Sequence, residues 1–286
     1  MTDEWNAPVI PHGGMVTAIA ARAMAHHLGI AEQPLRSVSV VFAGQVLAGD
    51  LNVQVTMIRK GRSISQLMAT VTNDGSEAGL TAIAVFGASR PGFSFTDLTM
   101  PTAPHPDLCG TFDDPPPSGI EIERKFNMGF WDNAIGKPAV GTPFWDTETP
   151  RTTTERATWY RFKQAPRLED GSWDPLAIVT FCDTMPGAIG QRVGGFGQLP
   201  MWFSPSADLH VQMMGEARSE WLLAHNFCRK SADGYASLEM RMWDPGNFNP
   251  AESGQPGGPQ LVAYATQQMF FSWPEGPPTE DQLTVR

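Results

Sequence analysis

Asp183 is the residue whose surroundings in the sequence most strongly indicate chemistry. It follows a mostly apolar run, residues 176–182. A carboxylate there is costly to bury unless it is hydrogen-bonded or faces a cavity. Pro186 removes the backbone hydrogen bond to the carbonyl of Cys182, so the helix is predicted to kink or end beside Asp183. A carboxylate beside irregular backbone in an apolar segment favours a functional site. The alternative is an exposed acidic residue at a helix turn.

Two other polar residues are candidate site residues. Gln267 and Gln268 are adjacent in a strand-like run, and neighbouring strand residues point to opposite faces. One of the two therefore faces inward and needs a hydrogen-bond partner, unless both lie on an edge strand. Ser206 directly precedes another predicted strand, and its type alone is equally consistent with an ordinary turn residue.

Gly13 and Gly14 are candidates for contact with substrate. They follow His12 and begin a predicted helix. Glycine lets the backbone approach a ligand closely, and the start of a helix attracts negative charge. A substrate oxygen that develops negative charge would be stabilised there. The alternative is a tight turn into the helix. We do not assign His12 as a base, because a lone histidine is more often structural.

Basic residues are concentrated at two predicted turns of a chain whose net charge is −10. A local cluster of cations can bind an anionic ligand even on an acidic protein. The alternative is a pair of solvated hairpin turns without a ligand. The candidates for binding phosphate are Arg59, Lys60 and Arg62 in one turn, and Arg229 and Lys230 in the other.

Composition and charge exclude several classes of protein. We find no basic stripe of the kind that nucleic-acid binding requires. No run of about 18 apolar residues could span a membrane. The N-terminus has no basic and apolar signal segment, so a cytoplasmic location is expected. Cys109, Cys182 and Cys228 are far apart and form no paired motif, which disfavours both a disulfide framework and a metal site.

The first third of the chain predicts one helix followed by an antiparallel meander. Residues 13–28 are mostly small and apolar and precede Gly29, which favours a helix with a glycine stop. Hydrophobic alternation between turn signals then predicts four strands. These strands are residues 35–43, 51–57, 63–72 and 80–88.

The rest of the chain repeats that order of elements. Residues 176–189 predict a helix that begins with Asp174 and Pro175. We predict strands at residues 120–128, 207–214, 220–229, 235–243 and 260–271, and irregular segments at 129–154 and 244–258. Residues 93–118 are rich in Pro and Asp and predict a linker. The chain is thus divided into an N-terminal unit (1–92), the linker, and a C-terminal unit (119–286). Each unit buries its helix under a curved sheet.

This organisation resembles the acyl-CoA thioesterase II family, which has a double hot-dog fold of the α+β class. Three segments carry the resemblance: residues 5–8 with His-Gly-Gly-Met at 12–15, Thr-Phe-Cys-Asp-Thr-Met-Pro at 180–186, and Val-Ala-Tyr-Ala-Thr-Gln at 262–267. The family has a strand before its first helix, but only about a dozen residues precede that helix here. The first unit is therefore expected to have a short strand or to be incomplete.

The resemblance implies hydrolysis of an acyl-CoA thioester, a reaction of lipid metabolism, without a covalent intermediate. Asp183 matches the family's aspartate, Gln267 its glutamine and Ser206 its hydroxyl residue, which together hold the attacking water. The substrate is the expected partner, no metal or redox cofactor is expected, and a homodimer or larger oligomer is implied. The chain has no Gly-x-Ser-x-Gly motif, which disfavours a serine nucleophile.

Two alternatives remain. Residues 49–52, Gly-Asp-Leu-Asn, begin like the Gly-Asp-x-Asn-Pro-x-His motif of hot-dog hydratases and dehydratases, but the Pro and His are missing. The other alternative is a non-catalytic acyl-CoA-binding protein that has kept the fold, since fold does not settle function.

Overall fold

Ten strands form one continuous sheet, in which every neighbouring pair runs antiparallel. The computed structural model describes residues 1–117, 128–194, 200–246, 258–276, 278–279 and 283. Among these residues, no helix has the length and apolarity needed to cross a membrane. The main helices lie on one face of the sheet, where they contribute to the largest apolar cluster. This is the predicted α+β arrangement.

The N-terminal unit consists of one helix and four strands, as predicted. They are α1 (Gly13–Leu28), β1 (Leu35–Phe42), β2 (Asn52–Arg59), β3 (Ile64–Thr72) and β4 (Leu80–Gly87), in the sheet order β2-β3-β4-β1. Gly29 ends α1 in the left-handed conformation, with φ of 63°, which glycine adopts without steric cost. Residues 1–12, all described, contain a short 3₁₀ turn and no strand before α1.

The C-terminal unit is larger and contains six strands. Its elements are α2 (Phe130–Asn133), β5 (Ala134–Val140), β6 (Arg156–Phe162), α3 (Pro175–Phe181), α4 (Gly187–Val193), β7 (Asp208–Met213), β8 (Leu222–Ala232), β9 (Tyr235–Asp244) and β10 (Gln260–Phe270). The sheet continues in the order β7-β10-β9-β8-β6-β5. The four predicted strands after the helix all form.

Two features of this unit differ from the sequence prediction. Residues 129–154 are not wholly irregular, since they contain α2 and β5, and β6 was not predicted at all. Pro138 made β5 hard to predict, because proline has no backbone N–H to donate to a neighbouring strand. β5 is an edge strand, where the missing donor is tolerated. Residues 157–160 in β6 are buried on both faces, so the strand shows no alternation. The strand predicted at 120–128 lies outside the described residues except for Met128.

The predicted helix at 176–189 divides into α3 and α4, and the break lies between Phe181 and Gly187. Asp174 caps α3 by accepting a hydrogen bond from the Leu176 N–H at 3.0 Å, and Pro175 occupies the first turn. Pro186 has no backbone N–H for the hydrogen bond that a continuous helix would need, which explains the break between α3 and α4. The break places Asp183 at the end of a fully buried helix.

The two units meet through a strand pair, a helix pair and a contact between the N-terminal 3₁₀ turn and α2. β1 pairs with β7, with Val38 opposite Val211 and Val40 opposite Leu209. On the helical face, α1 packs against α3. The strands of the two units therefore join into one extended antiparallel sheet.

The Pro-rich segment 93–117 packs against the C-terminal unit instead of lying free. The carbonyl of Pro104 accepts a hydrogen bond from the Trp159 indole at 2.9 Å. Leu98 and Met100 pack on the cluster that contains Trp159 and Trp243. This segment therefore covers the outer face of β6, β8 and β9. The segment between β9 and β10 connects two neighbouring antiparallel strands, and residues 247–257 of it lie outside the described part.

Candidate active site

Asp183 lies where the two units meet and is hydrogen-bonded on both carboxylate oxygens. Oδ1 accepts hydrogen bonds from Ser206 Oγ at 2.9 Å and from Gln267 Nε2. Oδ2 accepts from the backbone N–H of Gly14 at 2.9 Å. Asp183 is only 9% exposed, and these three donors offset the cost of burying its charge. The structure thus brings together the three residues predicted to be catalytic.

The sheet explains how Gln267 and Ser206 reach the carboxylate. Gln267 faces inward from β10 and is buried, whereas Gln268 faces outward and accepts a hydrogen bond from Ser237 Oγ at 2.6 Å. Ser206 precedes β7 and forms an isolated bridge with Met269. Gln267 Nε2 also donates to Ser206 Oγ at 2.6 Å. Asp183, Ser206 and Gln267 therefore form a closed triangle of hydrogen bonds.

Gly13 and Gly14 allow the start of α1 to approach the end of α3. A Cβ atom on Gly14 would lie 2.3 Å from the carbonyl oxygen of Thr180, and one on Gly13 would lie 2.6 Å from Asp183 Oδ2. The Gly14 N–H is directed at Asp183 instead of at an open cavity. Among the described residues, no acceptor is found for the Gly13 N–H, which leaves that donor for a ligand.

His12 also belongs to this site, although the sequence did not lead us to assign it. It is the N-cap residue of α1, and its Nδ1 lies 4.0 Å from Asp183 Oδ2. Its ring stacks on Phe130 with centroids 4.2 Å apart. Burial lowers the pKa of His12, and the nearby Asp183 charge partly opposes that effect. The signal in the sequence was its position directly before the two glycines.

Two buried atoms in the site have no hydrogen-bond partner among the described residues. They are Nδ1 of His12 and Oε1 of Gln267. Buried polar atoms of this kind are usually satisfied by water or a ligand. Both belong to residues that contact or approach Asp183. The site is thus chemically suited to hold a small polar molecule beside the carboxylate.

Arg59, Lys60 and Arg62 lie at the opposite end of α1 from Asp183. The turn between β2 and β3 is held by Gln33, which follows α1 and donates to the carbonyls of Gly61 and Arg62 at 2.9 and 3.1 Å. A helix of 16 residues is about 24 Å long. The structure therefore separates this basic turn from the carboxylate by approximately the length of α1.

Arg229 and Lys230 were predicted to lie in a turn, but they lie within β8. Arg229 is paired with Glu239, and its guanidinium lies 4.3 Å from the Phe227 ring centroid. It borders a cleft of about 260 Å³ that also contains Asp208 and Glu239. Two carboxylates beside a neutralised arginine make this cleft a poor site for phosphate.

The three cysteines are free thiols, and burial raises the pKa of Cys182, beside Asp183, far above its usual range. Within the described ranges, no three His, Cys, Asp or Glu side chains come together as metal ligands would. Among the described residues, the ionisable groups at the site are Asp183, His12 and the un-ionised thiol of Cys182.

Comparison with known families identifies the chain. The fold is a hot-dog fold of two tandem units. Residues 1–87 match the acyl-CoA thioesterase N-terminal domain, and residues 106–247 match the acyl-CoA thioesterase C-terminal domain. The two matches together cover most of the chain. The protein belongs to the acyl-CoA thioesterase family and is a thioester hydrolase.

Solved structures with the same fold cover nearly the whole chain. A putative thioesterase from Novosphingobium aromaticivorans is 23% identical, with a TM-score of 0.68 over 93% of this chain and 89% of its own. A hot-dog protein of unknown function from Alicyclobacillus acidocaldarius is 21% identical, with a TM-score of 0.72 over 96% and 92%. An acyl-CoA thioesterase II from Mycobacterium marinum is 19% identical, with a TM-score of 0.64 over 93% and 90%. No curated protein matches.

Proposed function

We propose that the protein hydrolyses acyl-CoA thioesters by direct attack of a water molecule that Asp183 activates. The observation that carries this proposal is the buried carboxylate with its three hydrogen-bond donors. Asp183 Oδ2 accepts a hydrogen bond only from Gly14 in the described residues. A carboxylate oxygen can accept more than one, so Oδ2 has capacity for a water.

In the proposed reaction, Asp183 takes a proton from water as the oxygen attacks the thioester carbon. The carbonyl oxygen becomes an oxyanion, and the Gly13 N–H at the start of α1 stabilises that charge. The tetrahedral intermediate then breaks its carbon–sulfur bond. The thiolate of coenzyme A leaves and receives the proton from Asp183, which restores the carboxylate. Ser206 and Gln267 fix the carboxylate and orient the water.

The basic turn at Arg59, Lys60 and Arg62 is the proposed contact for the coenzyme A phosphates. The described residues give these side chains no ion-pair partner, in contrast to Arg229, which is paired with Glu239. A long ligand lying along α1 would reach from this turn to Asp183. We further expect the protein to act in lipid metabolism in the cytoplasm, as a homodimer or larger assembly.

The hydratase alternative has little support in the geometry. Asp50 and Asn52, the polar residues of its partial motif, are exposed, and Asn52 is hydrogen-bonded to Asp74. The motif therefore does not face the buried helices. A non-catalytic binding protein would use the same surfaces without turnover, so the assay measures turnover as well as binding.

The test is release of free thiol from a panel of acyl-CoA esters of increasing chain length. Turnover that depends on chain length supports the proposal. Hydration of an enoyl-CoA without thiol release would favour the hydratase. Tight binding of acyl-CoA without any reaction would favour the non-catalytic binding protein.

A further inference from the structure

Asn226 has a buried side-chain amide that forms no hydrogen bond with the described residues. It lies in β8, is completely inaccessible to solvent, and faces the helices together with Leu222 and Ala224. Neither Nδ2 nor Oδ1 has a partner in the part of the chain that the structure describes. Leaving both ends of a buried amide unpaired is costly, so a group other than the described residues is expected there.

Arg156 lies directly opposite Asn226 across the β6–β8 pair. Residues opposite each other in an antiparallel pair share one face, with Cβ atoms about 5 Å apart. The Arg156 Nε donates to Thr158 Oγ1 at 3.1 Å, and the guanidinium lies 5.3 Å from the Phe112 ring centroid. Among the described residues, no carboxylate pairs with this half-buried cation, although the chain carries a net charge of −10.

The two residues lie on the same side of the sheet as Asp183. A Cβ atom on Gly187 would fall 1.6 Å from Arg156 Nη1, so the guanidinium rests directly on Gly187. Gly187 follows Asp183 by four residues, and a chain of that length spans at most about 14 Å. On the sheet, Ala265, Met240 and Asn226 are register neighbours on β10, β9 and β8. Gln267 lies two residues from Ala265, on the same face of β10.

We propose that Arg156 and Asn226 bind a carboxylate at the far end of the acyl group. The favoured substrates are then thioesters of dicarboxylic acids. The guanidinium and the Asn226 Nδ2 donate to the carboxylate, and Oδ1 of Asn226 accepts from the free guanidinium N–H groups. Met240 lies on the path from the thioester and, being unbranched, adapts to a ligand. This inference rests on the proposed thioesterase function.

The experiment compares suberoyl-CoA with octanoyl-CoA, which have equal chain length and differ in the terminal carboxylate. Wild type is expected to have the higher kcat/KM for suberoyl-CoA. Arg156→Met keeps the length of the side chain but removes the charge, and should lower that kcat/KM by about ten- to a hundredfold. The kcat/KM for octanoyl-CoA should stay within a few-fold of wild type. Arg161→Met is the matched control, because Arg161 lies on the opposite face of the same strand and pairs with Glu220.

A second variant separates loss of the carboxylate site from loss of folding. Asn226→Leu replaces the unpaired amide with an apolar group of similar size, so it should not lower the melting temperature. It should still reduce the preference for suberoyl-CoA. The proposed carboxylate site is wrong if wild type prefers octanoyl-CoA, or if both variants leave the preference unchanged. Arg156 and Asn226 would then bind only water.

Failure of the proposed function is distinguishable from failure of this site. If neither ester is hydrolysed, the thioesterase proposal fails, and the site is tested by binding alone. Suberoyl-CoA should then raise the melting temperature of wild type more than octanoyl-CoA does, and Arg156→Met should remove that difference. Equal shifts for the two esters in wild type would overturn the site.

Discussion

The backbone N–H of Gly14 donates a 2.9 Å hydrogen bond to Oδ2 of Asp183, although 169 positions separate the two residues. Gly14 lies in the first turn of α1 in the N-terminal unit, and Asp183 follows α3 of the C-terminal unit. The candidate site is therefore formed by both units and depends on how closely α1 and α3 approach. A change that separates these helices alters the carboxylate directly.

Gly14→Ala tests this dependence. The new Cβ would lie 2.3 Å from the carbonyl oxygen of Thr180, so α1 and α3 must separate. We expect a loss of stability of about 1–3 kcal/mol, as for overpacked cores, together with a large loss of turnover. Thermal melting and thiol release measure the two effects.

Gly190→Ala is the matched control, because no atom lies within 4 Å of a Cβ atom at that position in α4. It should be neutral or slightly stabilising, since alanine favours a helix. Wild-type melting and turnover in Gly14→Ala would show that the close approach of the helices is unimportant.

The buried histidines predict how stability depends on pH. Burial lowers the pKa of both His12 and His225 from the value of 6.5, and the nearby acids Asp183 and Glu155 partly oppose this. The unfolded chain then binds more protons than the folded one between the lowered pKa and 6.5. Stability is therefore fully present above pH 6.5 and falls as the pH decreases through that window.

Denaturant unfolding at a series of pH values below 6.5 measures this slope. His12→Gln should make it shallower, whereas His27→Gln, at an exposed position of α1, should leave it unchanged. Identical slopes for wild type and His12→Gln would mean that His12 does not titrate in this range.

Charge reversal tests the basic turn as the contact for coenzyme A. Lys60→Glu or Arg62→Glu should raise KM several-fold and leave kcat nearly unchanged, since the turn is about a helix length from Asp183. Added salt should also raise KM of the wild type, because surface charges are screened within about 8 Å at physiological ionic strength.

Arg90→Glu provides the control, since Arg90 is exposed outside the turn. If KM responds equally to all three variants, the effect comes from net charge and not from a phosphate site.

Much of the fold follows from local patterns in the sequence. The four strands of the N-terminal unit are rich in apolar and β-branched residues and are separated by turns that contain glycine, so their positions were predicted closely. β6 was missed because residues 157–160 are buried on both faces, by the segment that contains Pro104 on one side and by the helical core on the other. That burial is a tertiary effect, and no window of the sequence contains both partners.

The candidate site likewise contains some residues with a local sequence signal and others that only the fold reveals. Asp183 was predictable because a proline and an apolar helix adjoin it in sequence. The role of the Gly14 N–H was not, because its acceptor is distant in the chain. Arg156 and Asn226 gave no signal either, since each is unremarkable alone and only strand register places them side by side.

The orienting residues should matter less than the base. Ser206→Ala removes one donor to Asp183 and Gln267→Ala another, but each leaves the Gly14 N–H in place. We expect each variant to retain more turnover than a variant without the carboxylate charge. Steady-state kinetics with one good acyl-CoA ester rank the turnover of Ser206→Ala, Gln267→Ala and Asp183→Asn. A Ser206→Ala protein less active than Asp183→Asn would assign the central role to the hydroxyl instead.

The central claim is that the Asp183 carboxylate activates the attacking water. The most direct measurement is thiol release from a good acyl-CoA ester by wild type and Asp183→Asn, with thermal melting to show that the variant is folded. Asparagine keeps the shape of the side chain but removes the basic oxygen, and loss of a general base costs about 10²–10⁴-fold in rate. We predict a folded protein with kcat reduced to that extent. A folded Asp183→Asn protein that turns over as fast as wild type would contradict the mechanism.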